Sequence, residues 1–262
     1  MCYDKDARPP IPVIGGGAIA TEDLTLTASD GTTFAAYAAV GPGVGGPAVV
    51  ILPDVRGLHK FYEELADRFA ERGIAAVAID YFGRTAGVAK RADDFVFADH
   101  VAKTKTSQIA LDVAAAAAWL RQGKGNANRA MFTLGFCFGG SNSWYQAMAG
   151  HRLSGAIGFY GHPTRAARDG GPSVTERVTE IRCPILGLMG GADQGIPAEE
   201  VEKFRSALKT AGKHADIHIY PGTPHSFFDR RFVEHASASD DAWKRALAFI
   251  EANSKTPLGA AA

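Results

Sequence analysis

The sequence predicts an α/β protein with a doubly wound, mostly parallel sheet and helices on both faces. Three observations carry that expectation. Short apolar runs suited to buried strands alternate with helical stretches from about residue 48 to residue 250. One such run, 129–134, passes through a glycine-flanked turn directly into a helical pattern. No internal repeat, heptad pattern or linker separates two cores, so the 262 residues are expected to form one domain.

Taken in order, residues 1–17 hold Pro9, Pro10, Pro12 and three glycines, which preclude a helix and suggest an extended surface arm. Residues 22–28 and 32–40 flank Ser29, Asp30 and Gly31, the signature of a hairpin and hence of an antiparallel edge. A strand over 48–52, a helix over 61–72 and a strand over 74–79 form a β-α-β unit, whose crossover implies parallel pairing. The alanine-rich stretch 106–121 places Ile109, Val113, Ala116 and Leu120 on one helical face. Strands over 153–159, 184–189 and 217–220, with helices over 198–208 and 240–250, continue the alternation, and 254–262 reads as a frayed tail.

Charge and composition exclude several roles. With 28 basic and 28 acidic residues the formal net charge is zero, so no field gathers nucleic acid or an anionic membrane. The longest apolar-rich stretch, 110–120, contains Asp112 and falls short of the roughly 20 residues a spanning helix needs. Cys2, Cys137 and Cys183 are scattered without metal-ligand spacing, and no signal-peptide pattern opens the chain. A soluble protein of the reducing cytoplasm, without metal or other cofactor, is expected.

Gly135, Phe136, Cys137, Phe138 and Gly139 spell a nucleophile elbow with cysteine at its centre. A nucleophile on a sharp strand-to-helix turn sits in strained backbone, and only residues without Cβ fit two positions to either side. The same residues also admit a plain buried cysteine between glycines. Partners in the chain order nucleophile, acid, histidine decide between the two readings. The strand over 184–189 ends in a glycine-rich turn carrying Asp193, and the strand over 217–220 is followed by a turn with His225 at its tip. An aspartate there is also a common turn former. His59, His100, His151, His162, His214, His218 and His235 are assigned surface or structural roles, with His162 the alternative base because it too follows a strand.

These motifs resemble the dienelactone hydrolases, the cysteine members of the α/β-hydrolase superfamily, and the resemblance runs from the first hairpin to the last helix. It implies an α/β-hydrolase fold and hydrolysis of a small lactone or ester, with Cys137 as nucleophile, Asp193 as orienting acid and His225 as general base. It further implies that Asp54, one methylene shorter than the family's usual glutamate, contacts the resting thiol. Arg84 matches a family arginine that grips a substrate carboxylate, and Arg230 is the nearest counterpart of a second. Arg56 stands where the family often carries an aromatic residue.

Chemistry fills in the roles. A free thiol with a pKa of about 8.5 is mostly protonated at neutral pH, so a neighbouring imidazole is needed to take its proton. The backbone N–H groups of Val55 and Phe138 are expected to receive the oxyanion, and a thioester acyl-enzyme follows. A broad carboxylesterase or thioesterase on the same scaffold is the rival reading, because fold and triad do not fix substrate.

Overall fold

The computed structural model describes residues 7–14, 18–229 and 231–254. Eight strands form one sheet: β1 (Ala20–Thr27), β2 (Thr33–Val40), β3 (Ala48–Leu52), β4 (Ala75–Ile79), β5 (Met131–Phe136), β6 (Gly155–Phe159), β7 (Ile185–Gly190) and β8 (Ala215–Tyr220). Their order across the sheet is β1-β2-β4-β3-β5-β6-β7-β8. The β1/β2 hairpin and the β2/β4 pair are antiparallel, so β2 alone runs against the rest, and every pairing from β4 to β8 is parallel. This is the doubly wound, mostly parallel sheet that the alternation predicts.

Burial on both faces explains the continuous apolar runs of the central strands. In β3, Val49 and Ile51 pack into one core cluster while Ala48, Val50 and Leu52 pack into the other. On the first face lie α1 (Lys60–Ala70) and α7 (Ala236–Ser254), through Phe61, Leu65, Phe69, Trp243 and Ala246. On the second lies α4 (Thr106–Leu120), through the predicted stripe of Ile109, Val113, Ala116 and Leu120. The helix α6 (Ala198–Thr210) buries Val201, Phe204 and Leu208, and α5 (Phe138–Gln146) leads away from β5. Among the described residues, no helix is long and apolar enough to cross a membrane.

Several elements differ from expectation in ways that have physical causes. The central strand extends to Phe136 and the following helix begins at Phe138, because the elbow is a single residue wide. Short helices α2 (Gly83–Ala86) and α3 (Ala98–Lys103), and a 3-10 helix over Thr175–Glu180, have too few residues to show a period. Tertiary contacts hold the first two: the Phe95 and His100 rings stack at 4.9 Å, and Thr85 Oγ1 pairs with His100 Nδ1 at 2.9 Å. Of the arm expected over 1–17, Ile11 is buried in the core and the Ile14 N–H donates to Glu71 Oε2 (3.1 Å), while residues 1–6 and 15–17 lie outside the described residues. The frayed tail of 254–262 does too, apart from Ser254, which ends α7.

Asp80, just past β4, fixes the loop that follows β3. Its buried carboxylate accepts from the backbone N–H groups of Leu58 (3.1 Å) and Phe82 (2.7 Å), and from Arg91 through Nε (3.1 Å) and Nη2 (2.7 Å). Arg91 in turn donates to the carbonyls of Ala86 and Gly87, so one ion pair gathers three loops. Because both partners are buried, Arg91→Ala leaves a carboxylate without its counter-charge and is expected to cost about 3–5 kcal/mol in urea unfolding. A loss below about 1 kcal/mol in that measurement contradicts this role.

Candidate active site

Cys137 occupies the single residue between β5 and α5, with φ 55° and ψ −112°. Positive φ in a non-glycine residue is strained, and here the surrounding chain enforces it. The Cys137 N–H donates to Phe159 O (3.0 Å) on β6, and Gly139 allows the first turn of α5 to lie against the end of β3. A Cβ on Gly139 would sit 2.0 Å from Leu52 O and 2.3 Å from Pro53 O. The thiol is thereby raised above the carboxyl ends of the strands, at the positive end of a helix dipole.

Two turns at the same edge supply the partners. Gly191 N–H donates to Tyr220 O and Ala192 N–H to Thr223 O, both at 2.8 Å, which ties the turn after β7 to the turn after β8. Gly190 makes this approach possible, since a Cβ there would lie 2.7 Å from Thr223 O and Pro224 O. The result is a bond of 2.6 Å between His225 Nδ1 and Asp193 Oδ2. The other oxygen of the buried Asp193 accepts from the N–H groups of Gly195 (2.8 Å) and Ile196 (3.2 Å), so its carboxylate is held from both sides. An imidazole that donates Nδ1–H to a carboxylate leaves Nε2 as the acceptor, the tautomer a general base requires. The His225 ring lies 4.9 Å from that of Tyr160, whose hydroxyl donates to the buried Asp229 (2.8 Å).

Cys137, Asp193 and His225 all line one cavity of about 300 Å³, together with Val55 and Phe138. As the first residue of α5, Phe138 has an N–H without an intrahelical acceptor. No acceptor for the Val55 N–H occurs among the described residues, although its neighbours Asp54, Arg56 and Gly57 all donate theirs. The arrangement can therefore offer a nucleophile, a base, an orienting acid and two backbone donors to one small ligand.

The remaining described residues singled out from sequence have settings of their own. Asp54 is fully buried below the loop, its Oδ1 accepting from the Arg56 N–H (2.8 Å), and it is not among the residues lining the cavity. Arg230 lies outside the described residues. Arg84 is directed away from the cavity: Nε and Nη2 donate to Asp30 Oδ2 (3.0 and 2.9 Å) and Nη1 donates to Asp112 Oδ2 (2.8 Å), joining the β1/β2 turn to α4. These acids are 54 and 28 residues from Arg84, so nothing local in the sequence announces the contacts. His162 lines the cavity, but among the described residues its ring pairs with Thr164 Oγ1 (3.4 Å) and not with a carboxylate. Burial pushes His59 down to about 3 and His151 down to about 4, which suits neutral structural imidazoles. Burial also pushes the Cys183 thiol up to about 12, and Cys2 lies outside the described residues. Among the described residues, no cluster could hold a metal ion.

Two substitutions test these placements. Gly139→Ala forces its Cβ into backbone, not into a side chain that can yield, so a fall in thermal stability worth about 3 kcal/mol or more is expected. An unchanged melting temperature argues against the close approach. In Arg84→Ala the buried Asp112 loses its cation. Burial already raises the Asp112 carboxyl to about 6 against the pull of Arg84. A carboxyl raised in the folded state stabilises below its unfolded pKa, and that contribution disappears as pH rises through the folded value. Thermal denaturation should therefore show a larger penalty for Arg84→Ala at pH 8 than at pH 5, and an equal penalty at both removes the pair from this role.

Comparison with known proteins identifies the family of the chain. The Dienelactone hydrolase family profile matches residues 34–254. The "Putative carboxymethylenebutenolidase" of Escherichia coli (strain K12) is 33% identical over 233 residues, covering 87% of this chain and 86% of the relative. The "Carboxymethylenebutenolidase" of Rhodococcus opacus is 27% identical over 268 residues, covering 96% of each. The crystal structure of a putative dienelactone hydrolase from Klebsiella pneumoniae subsp. pneumoniae MGH 78578 superposes with a TM-score of 0.78 at 25% identity, covering 89% of this chain and 99% of that one. With its α/β-hydrolase fold and a family match across most of its length, the chain belongs to the dienelactone hydrolase family, hydrolases of ester and lactone bonds.

Proposed function

We propose that this protein hydrolyses a small, carboxylate-bearing lactone or ester through a Cys137, His225, Asp193 triad and a thioester acyl-enzyme. The observation that carries the reading is the 2.6 Å bond between His225 and Asp193 on the wall of the cavity into which the strained Cys137 turn opens. His225 Nε2 takes the thiol proton as Cys137 Sγ attacks the carbonyl carbon. Charge collects on the carbonyl oxygen, where the Val55 and Phe138 N–H groups receive it. The tetrahedral intermediate collapses with cleavage of the C–O bond, and the departing oxygen takes the proton from His225. In a lactone that oxygen stays tethered to the acyl group. Water then attacks the thioester, giving its proton to Nε2, and the released thiolate is reprotonated by the imidazolium.

Asp54 has a separate place in this scheme. A carboxylate buried in the loop after β3, it takes the role that the resemblance assigns to the family acid, contact with the resting thiol. A working thiol also fits the cytoplasm, and one sheet carrying all three triad residues fits a single domain. The apolar share of the wall, including Phe138, Tyr145, Tyr160 and Ile196, favours a second reading as an esterase or thioesterase of wider range.

Cys137→Ala is expected to lower kcat/KM by about three orders of magnitude or more while circular dichroism stays unchanged. Asp193→Ala and His225→Ala should each be severely impaired and add little when combined with Cys137→Ala, as for groups that act as a unit. Mass spectrometry of wild type with a slowly deacylating ester should show one acyl group on the Cys137 peptide. More than about a tenth of wild-type activity in Cys137→Ala, or acylation elsewhere, overturns the triad.

A further inference from the structure

Two arginines that the family motifs do not mark, Arg165 and Arg168, line the cavity beside Cys137 and His225. Both belong to the loop between β6 and the 3-10 helix. Several arginines elsewhere are taken up by acids, Arg84 by Asp30 and Asp112, Arg91 by Asp80 and Arg177 by Glu180, while Arg121 and Arg129 are spent on backbone carbonyls. For Arg165 and Arg168, no carboxylate lies within ion-pair distance among the described residues. The acid nearest in sequence, Asp169, is engaged otherwise, since its Oδ2 accepts from the Ser107 N–H (3.1 Å) at the start of α4.

The loop itself is held firmly while the two guanidinium groups are not spent on it. The Arg168 N–H donates to Thr106 Oγ1 (3.1 Å), and the Tyr145 hydroxyl donates to the carbonyls of Arg165 (3.3 Å) and Pro172 (3.1 Å). Ala167 is buried between the two arginines, and its N–H and carbonyl close the turn with Gly171 and Gly170 at 3.0 Å. The Arg168 guanidinium lies over the Phe138 ring, 5.5 Å from its centroid, one residue from the thiol. Burial, and then the neighbouring charge of Arg165, lower the Arg168 pKa, as expected of two cations sharing a wall without a counter-ion.

Exposed arginines are ordinary when they face bulk water. These two are exposed as well, but they also line the cavity that holds Cys137, and Arg168 lies over the ring of Phe138, the residue after the thiol. A planar guanidinium recognises a carboxylate through two parallel N–H···O bonds, which a cavity wall of aromatic and aliphatic groups strengthens. At about 300 Å³ the cavity is small enough that the anion and the reacting carbonyl belong to one compact molecule. We infer that Arg165 and Arg168 form the carboxylate-recognition pair of this cavity, selecting lactones or half-esters that carry a free carboxylate a few bonds from the scissile carbonyl.

The inference rests on the hydrolase reading for its substrate but not for its binding site, and two readouts keep them apart. Calorimetric titration of the full chain with glutarate should show binding weakened about tenfold in Arg165→Ala and in Arg168→Ala, the loss of one charge-assisted contact in each. Arg168→Lys should recover only part, because lysine lacks the fork. The ratio of kcat/KM for mono-4-nitrophenyl glutarate to that for 4-nitrophenyl butyrate should fall by about tenfold or more in the same variants. Unchanged glutarate affinity, or an equal fall for both esters, overturns the pair. If wild type turns over neither ester yet glutarate binding still depends on both arginines, the pair stands and the hydrolase reading fails.

Discussion

A single backbone position, Cys137 at φ 55°, sets the terms for everything around it. The conformation is unfavourable for an L-residue, so it persists only because neighbouring elements leave the chain no other path. The end of β3 presses against Gly139 from one side, and β6 takes the Cys137 N–H from the other. Both neighbours are central parallel strands whose residues are all buried. The strain is therefore carried by the core, and the thiol sits on rigid structure although it occupies a turn.

The remaining site components are attached to that fixed point by two different kinds of tie. On one side, Asp80 and Arg91 hold the loop bearing Val55 through buried, charge-assisted hydrogen bonds, an arrangement whose geometry is specific because both charges are costly to leave unpaired. On the other, the turns carrying Asp193 and His225 are joined by backbone hydrogen bonds across a contact that tolerates no side chain at Gly190. Asp193 and His225 are thus placed relative to each other before either is placed relative to Cys137. Ser239 on α7 extends this second tie, donating to Phe227 O (2.8 Å) just beyond the histidine.

What the sequence reveals of all this follows from the range of the interactions. The hairpin, the parallel core and the long helices are local in origin: the glycine-containing turn within 22–40, the short apolar runs at 48–52 and 129–134, and the 3.6-residue stripe of Ile109, Val113, Ala116 and Leu120 can each be read in place. Cys137, Asp193 and His225 are legible because each sits in a turn whose glycines or prolines mark it, in an order set by the strand sequence. Arg84 shows the limit. Its setting in a short helix just past a strand end suits a ligand contact, but its partners lie on a hairpin turn and on a helix far along the chain. Arg165 and Arg168 are the converse, two charges in a polar loop with no period or motif, given meaning only by where the loop is pinned. Tyr160 likewise reads as the end of a buried strand until its ring is found against His225.

The tie between the Asp193 and His225 turns also governs how the molecule comes apart. Both turns hang from β7 and β8, and β8 is the outermost strand, half exposed and paired on one side only. Edge strands open at lower free energy than the centre of a sheet. Peeling β8 removes His225 and loosens Asp193 in one event, while the elbow, anchored three strands inward from the β8 edge, keeps its shape. Partial unfolding thus takes His225 from the thiol before it exposes the core, and under the proposed mechanism a chain that has begun to fray carries an intact cysteine turn with no imidazole to activate it.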